Sequence, residues 1–132
     1  MDKKTIAKNW LNGADEAWNL MLGISKTKDG HFALFFLHLS LEKTLKGLFL
    51  MKLNESPPFT HDLLQLTSGV KFETTEVEKK QLTEISTFNI AARYDDYKYR
   101  LREKATSEFV KEWMKTGENF KNRFLEEVKK YE

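Results

Sequence analysis

The chain has 132 residues, of which 40% are hydrophobic and 13% aromatic, enough to fill one hydrophobic core and too few for two. Lysine and arginine total 22 against 20 acidic residues, so the net charge of +2 gives no general attraction to nucleic acid or to an anionic membrane. The absence of cysteine excludes disulfides, cysteine-ligated metal centres and thiol catalysis. We therefore expect a single domain over residues 1–132.

The amino-terminal sequence MDKKTIAKNWLNGADEAW does not predict export, because charges interrupt it throughout and it contains no apolar segment followed by small residues. Residues 31–51 are apolar around most of a helix, but Glu42, Lys43 and Lys46 near the middle would be costly in hydrocarbon. This segment therefore predicts a buried helix in a soluble bundle. We expect a cytoplasmic protein that does not contact a membrane.

Apolar spacing predicts two long helices in the first half of the chain. The first covers about 4–24. The second covers about 31–51 and is apolar on several faces, which is typical of a helix at the centre of a bundle. Its most regular row is formed by Leu34, Leu37, Leu41, Leu45 and Leu48.

The second half begins where two consecutive prolines, Pro57 and Pro58, end the second helix. A short helix is predicted in HDLLQLT, with Thr60 as its N-cap. A third long helix begins after Thr75, because the motif TEVE fits a capping box, and a fourth long helix covers about 106–131. Since no segment alternates with period two, the chain is predicted to be all-α, an up-and-down bundle of four long helices plus one short helix.

One polar row interrupts the apolar central helix. His38, Glu42 and Lys46 are spaced by four residues and share one face, with Lys43 beside them. In a structural interpretation, Glu42 and Lys46 form an intrahelical ion pair and nothing more.

In a functional interpretation, the same row faces the next long helix, where Asn89 and Arg93 are also spaced by four. Glu42 would then hold Arg93 in a bidentate pair, and the other residues of the row would bind an anion or a partner chain. Spacing alone does not separate the two interpretations.

Three segments in this order resemble the HEPN domain family (higher eukaryotes and prokaryotes nucleotide-binding). They are FFLHLSLEKTLKGLFL, then THDLLQL after the two prolines, then FNIAARYDDYKYRLREKATSEF. They are similar to the family's His-x-x-x-Glu-Lys-x-x-Lys helix, its His-Asp-Leu-Leu turn and its Asn-x-x-x-Arg-Tyr segment. The family often has proline after Arg-Tyr, where this chain has Asp95. The resemblance implies one ligand- or partner-binding site where a helix ends and a loop returns, formed by His38, Glu42, Lys43, Lys46, Asn89, Arg93 and Tyr94.

The resemblance also implies a function. HEPN domains commonly form homodimers through the helices that carry these motifs, and they often accompany a minimal nucleotidyltransferase. We therefore expect a module that dimerises and binds such a partner, a nucleotide or both, in a toxin–antitoxin-like or related two-component system. We expect no cofactor. We also expect no metal, because His31 and His38 would lie about 10.5 Å apart along a helix, too far to bind one metal ion together.

Two alternatives remain. Some HEPN proteins are metal-independent ribonucleases that carry arginine, four to six residues, and then histidine. Here His31, His38 and His61 all precede the first arginine, Arg93, so the motif is absent, and cleavage would need His38 to approach Arg93 in space.

The other alternative is a structural adaptor. RNA contact through the run KYRLREK at 98–104 is less favoured than partner binding, because acidic residues dilute its charge.

Overall fold

The computed structural model describes residues 2–132, and within them six α-helices follow one another without a β-strand. The four long helices are α1 (Lys3–Ile24), α2 (Gly30–Leu48), α4 (Glu76–Ala91) and α6 (Ser107–Lys129). The two shorter ones are α3 (Leu63–Gly69) and α5 (Asp95–Lys104). The predicted all-α bundle of four long helices is confirmed.

Helix α2 is the centre of the bundle and packs against the five other helices. Its leucine row has no exposed surface, and each buried leucine side chain contributes about 2 kcal/mol relative to an exposed one. The row consists of Leu34, Leu37, Leu41, Leu45 and Leu48. The predicted central helix is confirmed, and its rotation about its own axis is fixed by this burial.

Small residues bring α1 close to α2. The Ser40 hydroxyl donates a 2.8 Å hydrogen bond to the Ala14 carbonyl across the interface. Gly47 lies where an added Cβ atom would meet the Leu11 side chain at 3.0 Å and the Ala7 carbonyl at 3.3 Å. Helix α1 therefore covers one side of α2, and the polar row of α2 meets the edge of this contact where Lys46 lies near the Trp10 ring.

The end of α2 differs from a plain helix stop. Residues Phe49–Leu53 continue it as one turn of π-helix, and Asn54 ends this turn with φ 57°, a left-handed conformation that asparagine tolerates better than most residues. Pro57 and Pro58 follow, as the sequence predicted. The chain then crosses the polar row of α2 before it enters α3.

The observed N-caps of α3 and α4 can be compared with those predicted from the sequence. Thr75 and Glu78 form the predicted capping box of α4, with both reciprocal hydrogen bonds present. The predicted cap of α3 was wrong by two residues, because Asp62 is the N-cap and accepts from the Leu64 amide at 3.0 Å. Thr60 instead accepts from the Asp62 amide at 3.1 Å, so it shapes the turn before the cap.

The largest difference from the prediction is α5, which occupies residues expected to form a returning loop. Asp95 and Asp96 lie in its first turn, and Arg102 and Lys104 lie in its last. Negative charges at the start and positive charges at the end interact favourably with the helix dipole and stabilise the helix. Only Leu101 is buried. One buried residue gives no apolar period, which is why the sequence pattern did not reveal this helix.

Candidate functional site

The polar row of α2 is buried at the centre of the protein. His38, Glu42 and Lys46 are 0%, 4% and 6% exposed. Lys46 Nζ donates to Glu42 Oε2 at 2.9 Å and lies 5.4 Å from the centre of the Trp10 ring. The intrahelical pair of the structural interpretation is therefore present, and it occupies one oxygen of the carboxylate.

His61 occupies the other oxygen. Its Nδ1–H donates to Glu42 Oε1 at 2.9 Å, so both carboxylate oxygens have a charged or polar partner. Burial alone would raise the pKa of Glu42, but the hydrogen bonds from Lys46 and His61 outweigh it and leave the pKa below its ordinary value. Glu42 is therefore an anion inside the bundle.

His38 fixes the backbone of the same residue. Its Nε2–H donates to the His61 carbonyl at 2.7 Å, and this Nε2 lies 3.8 Å from Glu42 Oε1. Burial lowers the pKa of His38, which keeps the ring neutral. Its Nδ1 atom has no hydrogen-bond partner within residues 2–132. Helix α2 thus holds His61 at two points: His38 binds its carbonyl and Glu42 binds its ring.

Arg93 completes the network from the other side. Its Nη2 donates to His61 Nε2 at 2.7 Å, and this donor–acceptor order agrees with a His61 ring that carries its proton on Nδ1. The predicted direct pair between Glu42 and Arg93 was wrong, because the His61 ring lies between them and bonds to both. His61 is 46% exposed at its side chain, so the network runs from the core to the surface.

A serine sets the distance between the two elements that carry His61 and Arg93. The Ser86 hydroxyl of α4 accepts from the Leu63 amide at 3.0 Å and donates to the Leu82 carbonyl at 2.9 Å. This places the start of α3 against α4. An open pocket of about 320 Å³ lies along this contact, and its lining includes His61, Asp62 and Asn89.

The remaining sequence-predicted residues lie outside the hydrogen-bonded network. Asn89 is nearly buried and lines the pocket. Lys43 lies against α1, where a Cβ atom at Gly13 would be 3.1 Å from its Nζ. Tyr94 is exposed as the N-cap residue of α5, and its ring centre is 6.3 Å from that of Tyr97.

Sequence reasoning undervalued His61. It was not among the predicted site residues, although the structure makes it the link between Glu42 and Arg93. The available signal was the His-Asp-Leu-Leu turn itself, which places a histidine directly before a helix cap and after two prolines. Likewise, the histidine that approaches Arg93 is His61 rather than His38.

Chemically, the network joins a buried anion, a neutral imidazole and an exposed guanidinium. A guanidinium in this setting can bind phosphate or carboxylate, and an imidazole nitrogen with a lone pair can accept a proton. Within residues 2–132, no group of three or more histidine and acidic side chains is arranged to hold a metal ion. No helix in this range is long and apolar enough to cross a membrane.

Comparisons with known proteins agree with the helical fold described above. The profile described as "HEPN domain" matches residues 7–128. The crystal structure of TT1696 from Thermus thermophilus has a similar fold, with a TM-score of 0.73, 20% sequence identity, and coverage of 96% of this chain and 98% of that one. No curated protein matches the sequence.

Proposed function

This chain belongs to the HEPN domain family, and from that premise we propose that it is a module that dimerises and binds a nucleotide at Arg93 and His61. A minimal nucleotidyltransferase is the proposed partner protein, in a toxin–antitoxin-like or related two-component system. The partner and the system are implied by the family resemblance. The nucleotide site rests on Arg93 and His61 of this chain.

The observation that carries the proposal is the unpaired charge of Arg93. Its contact is with the neutral Nε2 of His61, and none of the ion pairs within residues 2–132 includes it. Arg123, in contrast, is paired with Glu78. An exposed guanidinium without a carboxylate keeps both its charge and several donors available for a phosphate group.

Support for dimerisation comes from the surface beside the polar row. Phe32, Phe36 and Leu39 of α2 are exposed or half-buried, and their spacing places them on one stripe of the helix. Lys43 continues this stripe at the next turn. A second copy of the chain would cover apolar surface that is otherwise in water.

The test uses the intact protein and a matched arginine. Isothermal titration should detect binding of a nucleoside triphosphate to the wild type, and Arg93→Gln should weaken it at least about 10-fold. Arg123→Gln, which removes an arginine already paired, should bind like the wild type.

Native mass spectrometry of protein isolated under mild conditions should show a dimer with a nucleotidyltransferase or a nucleotide attached. A monomer with no attached protein or nucleotide, and with no affinity for nucleotides, would contradict the proposal and favour the structural adaptor.

A second candidate function has its own observation. Because His61 Nε2 lies 2.7 Å from Arg93 Nη2, a general base and a phosphate-binding cation are adjacent although the family's ribonuclease motif is absent. In such a reaction His61 would take the proton of a ribose 2′-hydroxyl, and the 2′-oxygen would attack phosphorus. The bond from phosphorus to the 5′-oxygen would break as the His61 imidazolium returns its proton to that oxygen. Arg93 would release His61 and bind the phosphorane oxygens.

This second candidate predicts RNA cleavage in the presence of a chelator, with 2′,3′-cyclic phosphate products. His61→Gln and Arg93→Lys should each reduce the rate by a factor of about 100 or more. The matched control is His31→Gln, which changes a histidine outside the network. Equal rates in the wild type and in His61→Gln would assign any cleavage to a contaminant and remove this candidate.

A further inference from the structure

Phe59 is a fully exposed aromatic residue on the turn between α2 and α3. Pro57 and Pro58 restrict the backbone before it, and the Thr60 amide donates to the Pro58 carbonyl at 3.0 Å. The Thr60 hydroxyl then donates to Gln65 Oε1 at 3.0 Å. The backbone on both sides of Phe59 is therefore constrained. Its ring stays in contact with water, which is unfavourable for an apolar surface.

The turn is also tied to the site. His61 follows Phe59 by two residues, and its carbonyl and ring are fixed by His38 and Glu42. Two residues of chain span about 7 Å at most. Phe59 and the histidine whose ring bonds Arg93 thus lie on the same constrained segment, two residues apart.

We propose that Phe59 stacks on the base of the nucleotide whose phosphates are bound by Arg93. This inference rests on the proposed nucleotide-binding function and adds the residue that recognises the base. A nucleotide carries a flat ring and an anionic group separated by a ribose. The turn offers the exposed Phe59 ring, and His61, two residues further along, contacts the Arg93 guanidinium. Stacking on an exposed aromatic ring is tolerant of base identity and stronger for larger ring systems.

The surroundings of Phe59 favour a small ligand over a docked protein. Pro57 and Pro58 directly before it are half-buried, and the exposed residues on either side are charged or polar, namely Glu55, Ser56, His61 and Asp62. A protein-docking surface would need a contiguous apolar patch, whereas one exposed ring among polar groups suffices for a nucleobase.

The experiment compares ligands with and without a base. Isothermal titration with ATP, UTP and inorganic tripolyphosphate is applied to the wild type, Phe59→Ala, Phe59→Leu and Phe59→Tyr. ATP should bind the wild type more tightly than UTP and about 10-fold more tightly than tripolyphosphate. Phe59→Ala and Phe59→Leu should abolish this advantage and leave tripolyphosphate binding unchanged, while Phe59→Tyr should preserve it.

The controls separate failure of the inference from failure of the proposed function. Val77→Ala changes another exposed apolar residue, at the start of α4, and should bind every ligand like the wild type. If Arg93→Gln weakens tripolyphosphate but Phe59→Ala binds ATP normally, the anion site stands and the stacking role is wrong. If Phe59→Leu keeps the ATP advantage, the contact is apolar rather than aromatic and the proposal is overturned. If the wild type binds neither ATP nor tripolyphosphate, both proposals fail.

Discussion

Arg93 donates to His61 Nε2 at 2.7 Å, while the opposite nitrogen of the same ring donates to Glu42. An arginine and a glutamate that would ordinarily pair directly are thus separated by one imidazole. Glu42 is satisfied inside the protein by Lys46 and His61. Arg93 remains a surface cation whose charge is not cancelled by contact.

Arg93→Gln should change the free energy of unfolding little. The guanidinium is exposed and its bond is to a neutral acceptor, and such a hydrogen bond contributes about 1 kcal/mol. Urea unfolding of this variant should therefore differ from the wild type by about 1 kcal/mol or less. A loss of several kcal/mol would indicate that Arg93 has a structural role.

Glu42→Gln should be strongly destabilising. It leaves the buried Lys46 ammonium without its anion, and breaking a buried pair in this way costs about 3 kcal/mol or more. The matched control is Glu76→Gln, which breaks an exposed pair with Lys79 and should cost less than about 1 kcal/mol. Equal effects of the two variants in urea unfolding would contradict the burial argument.

Stability should fall with acidification in two ranges. Burial lowers the pKa of His38 below the value of about 6.5 that it has in the unfolded chain, so unfolding takes up a proton and stability decreases as pH drops below about 6.5. The pKa of Glu42 is also lowered, because its hydrogen bonds outweigh its burial, and this contribution is lost below its unfolded value of about 4.3.

Urea unfolding at pH 7, 6 and 5 measures the first range. His38→Gln keeps a donor for the His61 carbonyl and removes the titrating ring, so its stability should depend less on pH. Some dependence should remain, since burial also lowers the pKa of His31. A His38→Gln profile as steep as that of the wild type would contradict the assignment.

Ser86→Ala should disturb both stability and the site. It removes the acceptor of the Leu63 amide and leaves a part-buried donor unpaired, which costs about 1–3 kcal/mol. Thr87→Ala, one residue further along α4, removes a hydroxyl that bonds only within its own helix and should change stability by about 0.5 kcal/mol or less. The ¹⁵N chemical shifts of the His61 ring should move in the serine variant alone.

Gly117→Ala should destabilise the contact between α6 and α2. A Cβ atom at this position would overlap the Leu37 side chain, which is fully buried, so we expect a loss of about 1–3 kcal/mol. Gly23→Ala in α1 meets nothing within 4 Å and should stabilise by about 0.5–1 kcal/mol. Thermal unfolding of the two variants should therefore shift in opposite directions.

Periodic burial explains which parts of the fold were predictable. The leucine row of α2 and the capping box at Thr75 specify a helix and its start through local rules, and both were confirmed. Helix α5 follows no such rule beyond its charges, because Leu101 alone reaches the core.

The site was predictable only on one side. The spacing of His38, Glu42 and Lys46 indicated a shared face that needs partners, and all three are buried there. Which group would meet that face depended on the path of the turn after Pro58, which is a tertiary feature. The imidazole of His61 therefore replaced Arg93 as the partner of Glu42.

The two bonds from α2 to His61 connect an exposed turn directly to the buried centre of the protein, so we expect this turn to open about as rarely as α2 itself. Loops at binding sites usually open far more easily than the elements they connect, but releasing this one requires breaking buried contacts of His38 and Glu42. The amide protons around His61 should consequently exchange with solvent almost as slowly as those of α2. A ligand would meet a preorganised surface, so little conformational entropy would be lost on binding.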